Sequence, residues 1–292
     1  MKKISKLCIS LFVIIALLFI GIKVSNNRQN AKADQTKITY VKKKGRIIKV
    51  FNVPAFEKIN VNINKARLDK RFINLKVTTG KSFQVKATGP DAKKIKATVN
   101  NKSLTISSSH SIRKGRYKVS VTVPNSDTLQ SITGYSYGSN VSLHKLNLTD
   151  IQLAAIYGDV TLDKIKTNEL KLRQIYGDFT ANNSTINKAS LTTDTGDTVI
   201  SNCKFQMNAK YSGVCDVEVE DDSKILGNSS FSLHEGDFIM YDSPKIGYNL
   251  SCNKKNKIKF FGKSHSAHFE RIISNKPMLT VKDKKGNISI KD

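Results

Sequence analysis

Apolar and polar residues alternate along much of the chain after its first 46 positions. In Ile59–Ile63, Phe83–Ala87 and Tyr117–Val123, every second residue is apolar or aromatic. Because the side chains of a β-strand point alternately to its two faces, this pattern predicts short strands with one buried and one solvated face. Pro124 ends the last of these segments, since proline has no backbone N–H for the strand ladder.

An internal repeat follows Pro124. Its glycines recur at intervals of about twenty residues, at Gly138, Gly158, Gly177, Gly196, Gly213 and Gly236. Apolar residues stand two and four positions after most of these glycines, as Val160 and Leu162 do after Gly158. In four units an aspartate follows the glycine directly, at Asp159, Asp178, Asp197 and Asp237.

The repeat predicts an all-β fold of the β-solenoid or β-helix type. Each unit would form one turn of a coil, and successive turns would stack their apolar residues into a shared core. Glycine would provide a corner with positive φ, and the following aspartate would hold the bend through its side chain. A twisted β-sandwich of meandering strands is the alternative architecture.

The spacing of the repeat also assigns positions to two cysteines. Cys215 is predicted to occupy the buried position that Val160 has in its own unit. Cys203 is predicted to occupy the buried position of Ile165. The unit around Gly213 departs from the pattern, since a valine follows its glycine where an aspartate is expected.

Residues 1–24 predict an N-terminal transmembrane signal-anchor. Three lysines within the first six residues precede the uninterrupted apolar run Leu7–Ile22, and a bilayer is spanned by roughly 20 such residues. The positive end favours a cytoplasmic N-terminus and a single-pass membrane protein with its C-terminal domain outside the cytoplasm. Alternatively, a small-x-small pattern ends at Ala33, and cleavage there would give a secreted protein.

The remaining chain divides into three parts. Residues 25–46 are polar and lack periodicity, which predicts a linker. An N-terminal region of sandwich-like strands is predicted for residues 47–126. The repeat region covers residues 127–292. Three cysteines lie beyond the anchor, without a CxxC pair. This odd number excludes a disulfide framework, and the spacing is not that of a zinc site.

The formal net charge of +26 allows two interpretations. It would attract anionic polymers, with outward lysines such as Lys164, Lys166 and Lys171 supplying the attraction. It also fits the Lys-, Asn- and Ile-rich composition expected from an A/T-rich bacterial genome. Because the lysines are spread along the chain, the pattern does not favour a dedicated nucleic-acid groove.

Two features of the repeat are candidate sites. The recurring aspartates could form a carboxylate row that binds calcium, but the paired-glycine nonapeptide of calcium-binding β-rolls is absent, which favours a role in the turns. Tyr137, Tyr157 and Tyr176 each precede a glycine and could form an exposed aromatic stripe that grips sugars. The alternative is that these rings cover the edge of the core.

The remaining candidate residues do not form a recognisable catalytic or metal-binding pattern. His265 and His268 lack a third metal ligand nearby in the sequence. The acidic group of Glu218, Glu220 and Asp221-Asp222 is typical of a solvated face rather than of a glycosidase pair. The sequence therefore predicts no catalytic residues, no metal site and no cofactor.

The order of these parts resembles a known family. A Phe51-x4-Phe56-x2-Ile59 segment, strands ending at Pro124 and the repeated Gly-Asp units together are similar to the DUF4097 β-strand-repeat family of adhesin-type proteins. That family is related to the GIN "head" domains of adhesins, and the resemblance covers about residues 50 to 292. It implies a β-solenoid-like, exported and often membrane-anchored bacterial protein, and it implies a fold more than an activity.

Three functions are open at this stage. The first is a non-enzymatic adhesin or envelope-associated module on the cell surface, which binds anionic polymers or a protein partner. The second is an enzyme acting on a cell-wall or extracellular polysaccharide. The third, least favoured, is extracellular nucleic-acid binding. The sequence leaves the ligand and the oligomeric state open.

Overall fold

The computed structural model describes residues 36–43, 46–63, 71–108, 115–220, 222–241 and 245–291. The predicted membrane anchor, the predicted cleavage position Ala33 and most of the predicted linker lie outside the described residues. Within the described ranges, no helix has the length and apolar character needed to cross a bilayer.

Twenty-five β-strands and one short 3-10 helix make up the regular structure of the described residues. The strands that precede the repeat are β1 (Lys37–Lys43), β2 (Arg46–Asn52), β3 (Lys58–Ile63), β4 (Arg71–Thr79), β5 (Gln84–Gly89), β6 (Ile95–Asn100), β7 (Ser103–Ser108) and β8 (Gly115–Val123). The 3-10 helix, Ala92–Lys94, lies between β5 and β6.

The following strands are longer at first and shorten toward the C-terminus. They are β9 (Ser131–Tyr137), β10 (Ser139–Ile156), β11 (Val160–Tyr176), β12 (Phe179–Asn182), β13 (Thr185–Thr195), β14 (Thr198–Ser201), β15 (Lys204–Tyr211), β16 (Val217–Val219), β17 (Lys224–Ile225), β18 (Ser229–Leu233) and β19 (Phe238–Tyr241). The last six are β20 (Gly247–Ser251), β21 (Ile258–Phe260), β22 (Lys263–His265), β23 (His268–Arg271), β24 (Met278–Asp283) and β25 (Ile288–Lys291).

Successive repeat units pair with each other as parallel strands. One column of paired residues runs through Val141, Val160, Phe179, Thr198, Val217 and Phe238. Meandering strands of a sandwich would have antiparallel neighbours instead. The prediction of an all-β, solenoid-like fold is therefore confirmed.

Each coil of the repeat has three paired runs separated by corners. Between β10 and β11 the runs on β10 are Val141–His144, Leu146–Leu148 and Asp150–Ala155. The corner between the first two runs has a positive φ of 55° at Lys145 and 56° at Lys164. Asn183, Asn202 and Asp222 continue this column in the next coils, also at positive φ. A coil thus turns here without glycine.

A second corner lies where the coils approach closely. Gly158, Gly177, Gly196 and, two coils later, Gly236 stand in line at this corner, and we call this line the glycine column. A Cβ atom on Gly177 would lie 2.3 Å from the carbonyl oxygen of Gly158, and Gly177 has a φ of +138°. Both the contact distance and the conformation therefore require glycine at this position.

The core consists of apolar columns that run through the coils. The inward column Leu143, Leu162, Ala181, Ile200, Val219 and Met240 is buried throughout. Where the coils shorten, Phe231 and Phe238 fill the interior with ring centroids 5.2 Å apart. Burial of these stacked side chains is the main stabilising term of the fold.

Both ends of the stack are closed by segments that pass outward and return. At the N-terminal end, the coil of β3 and β4 lies between β7–β8 and β9–β10. At the C-terminal end, the coil of β24 and β25 lies between β18–β19 and β20–β21. Antiparallel strands, β5 and β6 at one end and β22 and β23 at the other, complete the two caps.

The register corrects one assignment made from the sequence. Val217, and not Cys215, occupies the position of Val160 and Phe179. Cys215 lies in the glycine column, because its N–H donates to Glu235 O as Gly196 N–H donates to Val214 O. In this coil the position in the glycine column is not a glycine. Gly213 lies two residues before Cys215, so an alignment on glycine places this unit two residues out of register.

The other cysteine assignment is correct. Cys203 follows Ser184 in the column of Ile165, and its side chain is buried. Gly138 lies one position away from the glycine column. The residue that contacts Gly158 from the preceding coil is Ser139.

Candidate functional site

The predicted turn aspartates form one continuous hydrogen-bonded ladder. In each step the side-chain Oδ1 of one Asx residue accepts the backbone N–H of the Asx residue in the next coil, at 2.8–3.2 Å. The ladder contains Asn140, Asp159, Asp178, Asp197, Asp216, Asp237 and Asn287. Each acidic side chain thereby binds a backbone donor at the glycine corner.

Sequence reasoning missed Asn140, Asn287 and one aspartate of this ladder, Asp216. Counting 19 residues from Asp197 would have found it, whereas the search for Gly-Asp pairs did not. In the part of the chain that the structure describes, no group of three or more His, Cys, Asp or Glu side chains is placed to hold a metal ion.

Tyr137, Tyr157 and Tyr176 lie together at the same corner. The rings of Tyr157 and Tyr176 are stacked with centroids 4.9 Å apart, and Tyr137 meets Tyr157 edge-on at 5.4 Å. Tyr157 and Tyr176 are 39% and 46% exposed. Because the ring faces pack on each other, the stripe presents mainly edges and hydroxyl groups to solvent.

The shortest side of the coils carries a column of lysines. We define the narrow face as the outward-pointing residues of the short run that follows the corner at positive φ. Its members are Asn147, Lys166, Thr185, Lys204 and Lys224. Neighbouring coils are about 4.8 Å apart, so the three lysines lie within a span of about 15 Å.

Two grooves open along the narrow face, and both include Thr185. The first has a volume of about 450 Å³ and is lined by Asp127, Leu129, Gln130, Asn147, Leu148, Thr149, Lys166, Thr167, Asn168, Thr185 and Asn187. The second has a volume of about 350 Å³ and is lined by Asn183, Ser184, Thr185, Asn202, Lys204, Asp222 and Lys224. Hydrogen-bonding side chains dominate both linings.

Amide side chains in these grooves hold one another in place across the coils. Asn187 Nδ2 donates to Asn168 Oδ1 at 3.0 Å, and Asn202 Nδ2 donates to Asn183 Oδ1 at 2.7 Å. Such stacked amides keep one N–H and one lone pair for a ligand while their orientation is fixed. The grooves therefore offer a repeating set of donors and acceptors.

Asp127 is the acidic member of the first groove. Asn147 Nδ2 donates to its Oδ1 at 2.5 Å. Hydrogen bonds from Asn147 and Ser126, together with the charge of Lys166, lower the pKa of the Asp127 carboxyl group. Since the carboxylate is ionised and already bonded, it is poorly suited to act as a general acid.

The lysines of the narrow face form no close ion pair in the part of the chain that the structure describes, although the charge of Lys166 acts on the Asp127 carboxylate. Among the described residues, Lys166, Lys204 and Lys224 take part in none of the ion pairs within 4 Å. By contrast, Lys171 lies on the long side of the coil and pairs with Glu169 at 3.0 Å. Lys164 is exposed at the corner that begins the narrow face.

The other sequence candidates lie elsewhere. His265 packs against Phe269 at 4.4 Å, and His268 is exposed on the following strand. Glu218 lies on the outer side of β16, and Asp222 reaches the second groove. Asp221 lies outside the described residues.

The three described cysteines do not provide an activated nucleophile. Burial raises the pKa of the Cys215 thiol to about 11, and neighbouring aspartates add to the shift. Burial also raises the pKa values of Cys203 and Cys252. Thiols with raised pKa values are inert at neutral pH because the thiolate is the reactive form.

Comparison with known proteins gives a family and a set of structures with similar folds. The Toastrack DUF4097 family model matches residues 55–291. Comparison with curated proteins finds no match.

Three solved structures are similar to this chain. A "putative lipid binding protein" from Parabacteroides distasonis ATCC 8503 has a TM-score of 0.52 at 12% identity, over 85% of this chain and 97% of that chain. A "putative adhesin" from the same strain has a TM-score of 0.50 at 14% identity, over 88% and 98%. A "putative adhesin" from Bacteroides fragilis NCTC 9343 has a TM-score of 0.47 at 17% identity, over 85% and 98%. At these identities the likeness concerns the fold alone.

Proposed function

This chain belongs to the Toastrack DUF4097 family, and from that premise we propose that it is an exported, membrane-tethered, non-enzymatic module that binds an anionic envelope polymer. The polymer lies along the narrow face and crosses several coils. The N-terminal apolar run supplies the tether, as the sequence predicts. Adhesin-type naming of structures with the same fold agrees with a non-enzymatic role.

The lysine column is the observation that carries this proposal. Lys166, Lys204 and Lys224 are exposed within four successive coils, and none of them forms an ion pair within 4 Å among the described residues. A row of unpaired cations attracts a polyanion by releasing the counterions that the polyanion holds. The amide and hydroxyl groups between the lysines can bind the sugar or polyol parts of such a polymer.

The geometry favours a polymer over a small ligand. The two grooves share Thr185 and continue each other along the stack. Along the stack, each coil offers similar donor and acceptor groups about 4.8 Å after the previous coil. Such a surface suits a ligand that is itself a repeat.

The two alternative functions find less support on the narrow face. A glycosidase needs two carboxyl groups with different protonation states, whereas Asp127 is ionised and hydrogen-bonded to Asn147. Single-stranded nucleic acid is bound through stacking on aromatic rings. Neither groove has an aromatic residue in its lining.

Binding of a model polyanion to the full-length chain tests the proposal. Poly(glycerol phosphate) is the probe, neutral dextran is the uncharged comparison, and single-stranded DNA tests the nucleic-acid alternative. The variant K166S/K204S/K224S removes the narrow-face charge. The variant K76S/K86S/K118S removes the same charge from exposed positions of β4, β5 and β8.

We expect poly(glycerol phosphate) to bind at low salt and to be released as salt is added. The narrow-face variant should bind roughly tenfold more weakly, while the control variant keeps most of the affinity. Equal losses in both variants would contradict a defined face, and so would full binding by the narrow-face variant. Hydrolysis of a labelled wall polysaccharide by the purified chain would support the enzyme alternative instead.

A further inference from the structure

The first strand of the described chain carries exposed apolar side chains on both of its faces. Ile38, Tyr40 and Val41 of β1 are 45%, 53% and 46% exposed. β1 pairs with β2, and no other described strand covers its second edge. Exposed edge strands with large apolar side chains are normally covered by a partner or a surface.

β1 is also strongly basic. Three of its seven residues are lysines, at positions 37, 42 and 43. The amines of Lys49 and Lys93 lie 5.8 and 5.9 Å from the centroid of the Tyr40 ring. The Tyr40 ring therefore lies near two amines, of which that of Lys49 is nearly buried.

In the sequence, β1 follows the predicted membrane anchor after a short segment. The apolar run ends at Ile22, and the described chain begins at residue 36. The intervening segment 23–35 can span at most about 45 Å when fully extended. The tether thus allows β1 to reach the bilayer surface.

We propose that β1 lies in the headgroup region of an anionic bilayer, with Ile38, Tyr40 and Val41 at the interface and Lys37 near lipid phosphates. This inference rests on the membrane tether in the proposed function. Aromatic residues and lysines at the boundary between acyl chains and water anchor membrane proteins in this way. The lipid class is one with a net negative headgroup, such as phosphatidylglycerol.

A second copy of the chain is a poorer occupant of this edge. Antiparallel self-pairing centred on Tyr40 would place Lys37 directly opposite the partner's Lys43, twice in each dimer. Like charges opposite each other in a ladder destabilise the pairing, and edge lysines are a common device against it. An anionic lipid surface instead neutralises these charges.

Tryptophan fluorescence can test this contact cleanly because the chain contains no tryptophan. The variant Y40W is made in the full-length chain and reconstituted in vesicles of phosphatidylglycerol and phosphatidylcholine. Phosphatidylcholine brominated on its acyl chains serves as the quencher. Y176W is the matched control, since Tyr176 is 46% exposed and ends β11, six strands and about 25–30 Å from β1.

We expect brominated lipid to quench the indole fluorescence of Y40W at least about twofold more than that of Y176W, consistent with an interfacial position of the aromatic side chain. Adding K37S/K42S/K43S to Y40W should reduce that quenching, as should replacing phosphatidylglycerol with phosphatidylcholine. Equal quenching of the two variants would overturn the interfacial contact alone. A blue-shifted emission of Y40W without quenching would mean that a protein surface covers β1, which also overturns it.

Carbonate extraction of the same vesicles separates this inference from the proposed function. A chain that carbonate releases has no membrane tether, which overturns both the tether and the interfacial contact. A retained Y40W chain whose fluorescence is not quenched leaves the tether intact and overturns only the contact. Polymer binding by the narrow face is measured independently of either result.

Discussion

The Oδ1 atom of Asp197 accepts the backbone N–H of Asp216, nineteen residues later, at 3.1 Å. The same bond recurs in every coil from Asn140 to Asn287. Each Asx side chain thus satisfies a backbone donor that the tight glycine corner would otherwise leave without a partner. The ladder thus holds the glycine corners of successive coils to one another, while the parallel backbone pairing sets the coil spacing.

Replacing one rung of this ladder tests its structural role. D178A should lower the free energy of unfolding by about 1 kcal/mol, because the N–H of Asp197 loses its acceptor. D178N keeps an Oδ1 acceptor and removes one of five stacked negative charges, so it should be as stable as the wild type or slightly more stable. Urea unfolding of the three proteins provides the comparison. Equal destabilisation by alanine and asparagine would show that the charge, and not the acceptor, matters.

The glycine corner gives a second, sharper prediction. G177A places a Cβ atom 2.3 Å from Gly158 O in a backbone with φ of +138°. We expect a loss of about 3 kcal/mol or more in the free energy of unfolding. G262A is the control, since its φ is +73° but nothing lies within 4 Å of an added Cβ. It should cost about 1 kcal/mol.

Much of this architecture follows from the sequence, because Gly158, Gly177 and Gly196 are spaced evenly and need glycine for steric reasons. The register of the coil around Cys215 was not predicted, because this coil forms the same corner without a glycine in the column. The corner column of Lys145, Lys164, Asn183, Asn202 and Asp222 was also invisible. Its members share a backbone conformation but no residue type, so only the register brings them together.

The lysine column of the narrow face and the caps could not be predicted for a different reason. The narrow-face positions recur every 19 or 20 residues, and the sequence predicted Lys166 to point outward, but the residue type changes from coil to coil. Only the register shows that Lys166, Lys204 and Lys224 belong to one column. In the caps, Phe238 pairs with Ile288 across a separation of 50 residues, because β20–β23 pass to the outside of the stack and the chain then returns. A local repeat cannot reveal such a long insertion.

Thiol labelling of the native protein tests the burial of the cysteines. Iodoacetamide at pH 8 should modify Cys252 faster than Cys203 or Cys215, because the latter two side chains are fully buried. Labelling of Cys215 should require unfolding or a pH near its raised pKa of about 11. Peptide mass spectrometry measures each site. Rapid labelling of Cys215 at pH 8 would show that the glycine corner opens.

Alkaline pH should destabilise the fold through Tyr211. Its hydroxyl group donates to Thr198 Oγ1 at 3.0 Å, and burial raises its pKa well above the ordinary value of 10. The raised folded-state pKa means that this contribution is fully present below about pH 10 and is lost as the pH rises toward the folded-state value.

The variant Y211F isolates that contribution. At pH 8 it should be less stable by about 1 kcal/mol, because the hydrogen bond to Thr198 is lost. The difference between the wild type and Y211F should shrink as the pH rises above 10, since phenylalanine does not ionise. Urea unfolding at several pH values gives the comparison. A difference that stays constant up to pH 11 would contradict the linkage.

The most direct test of polymer binding on the narrow face is a lysine acetylation footprint of the full-length chain with and without poly(glycerol phosphate). Mass spectrometry then reports the protection of each lysine. If the polymer binds to the narrow face, we expect it to protect Lys166, Lys204 and Lys224 from acetylation. Lys76 and Lys118 should be acetylated as in the unbound protein. Protection spread evenly over all exposed lysines, or confined to lysines outside the narrow face, would contradict it.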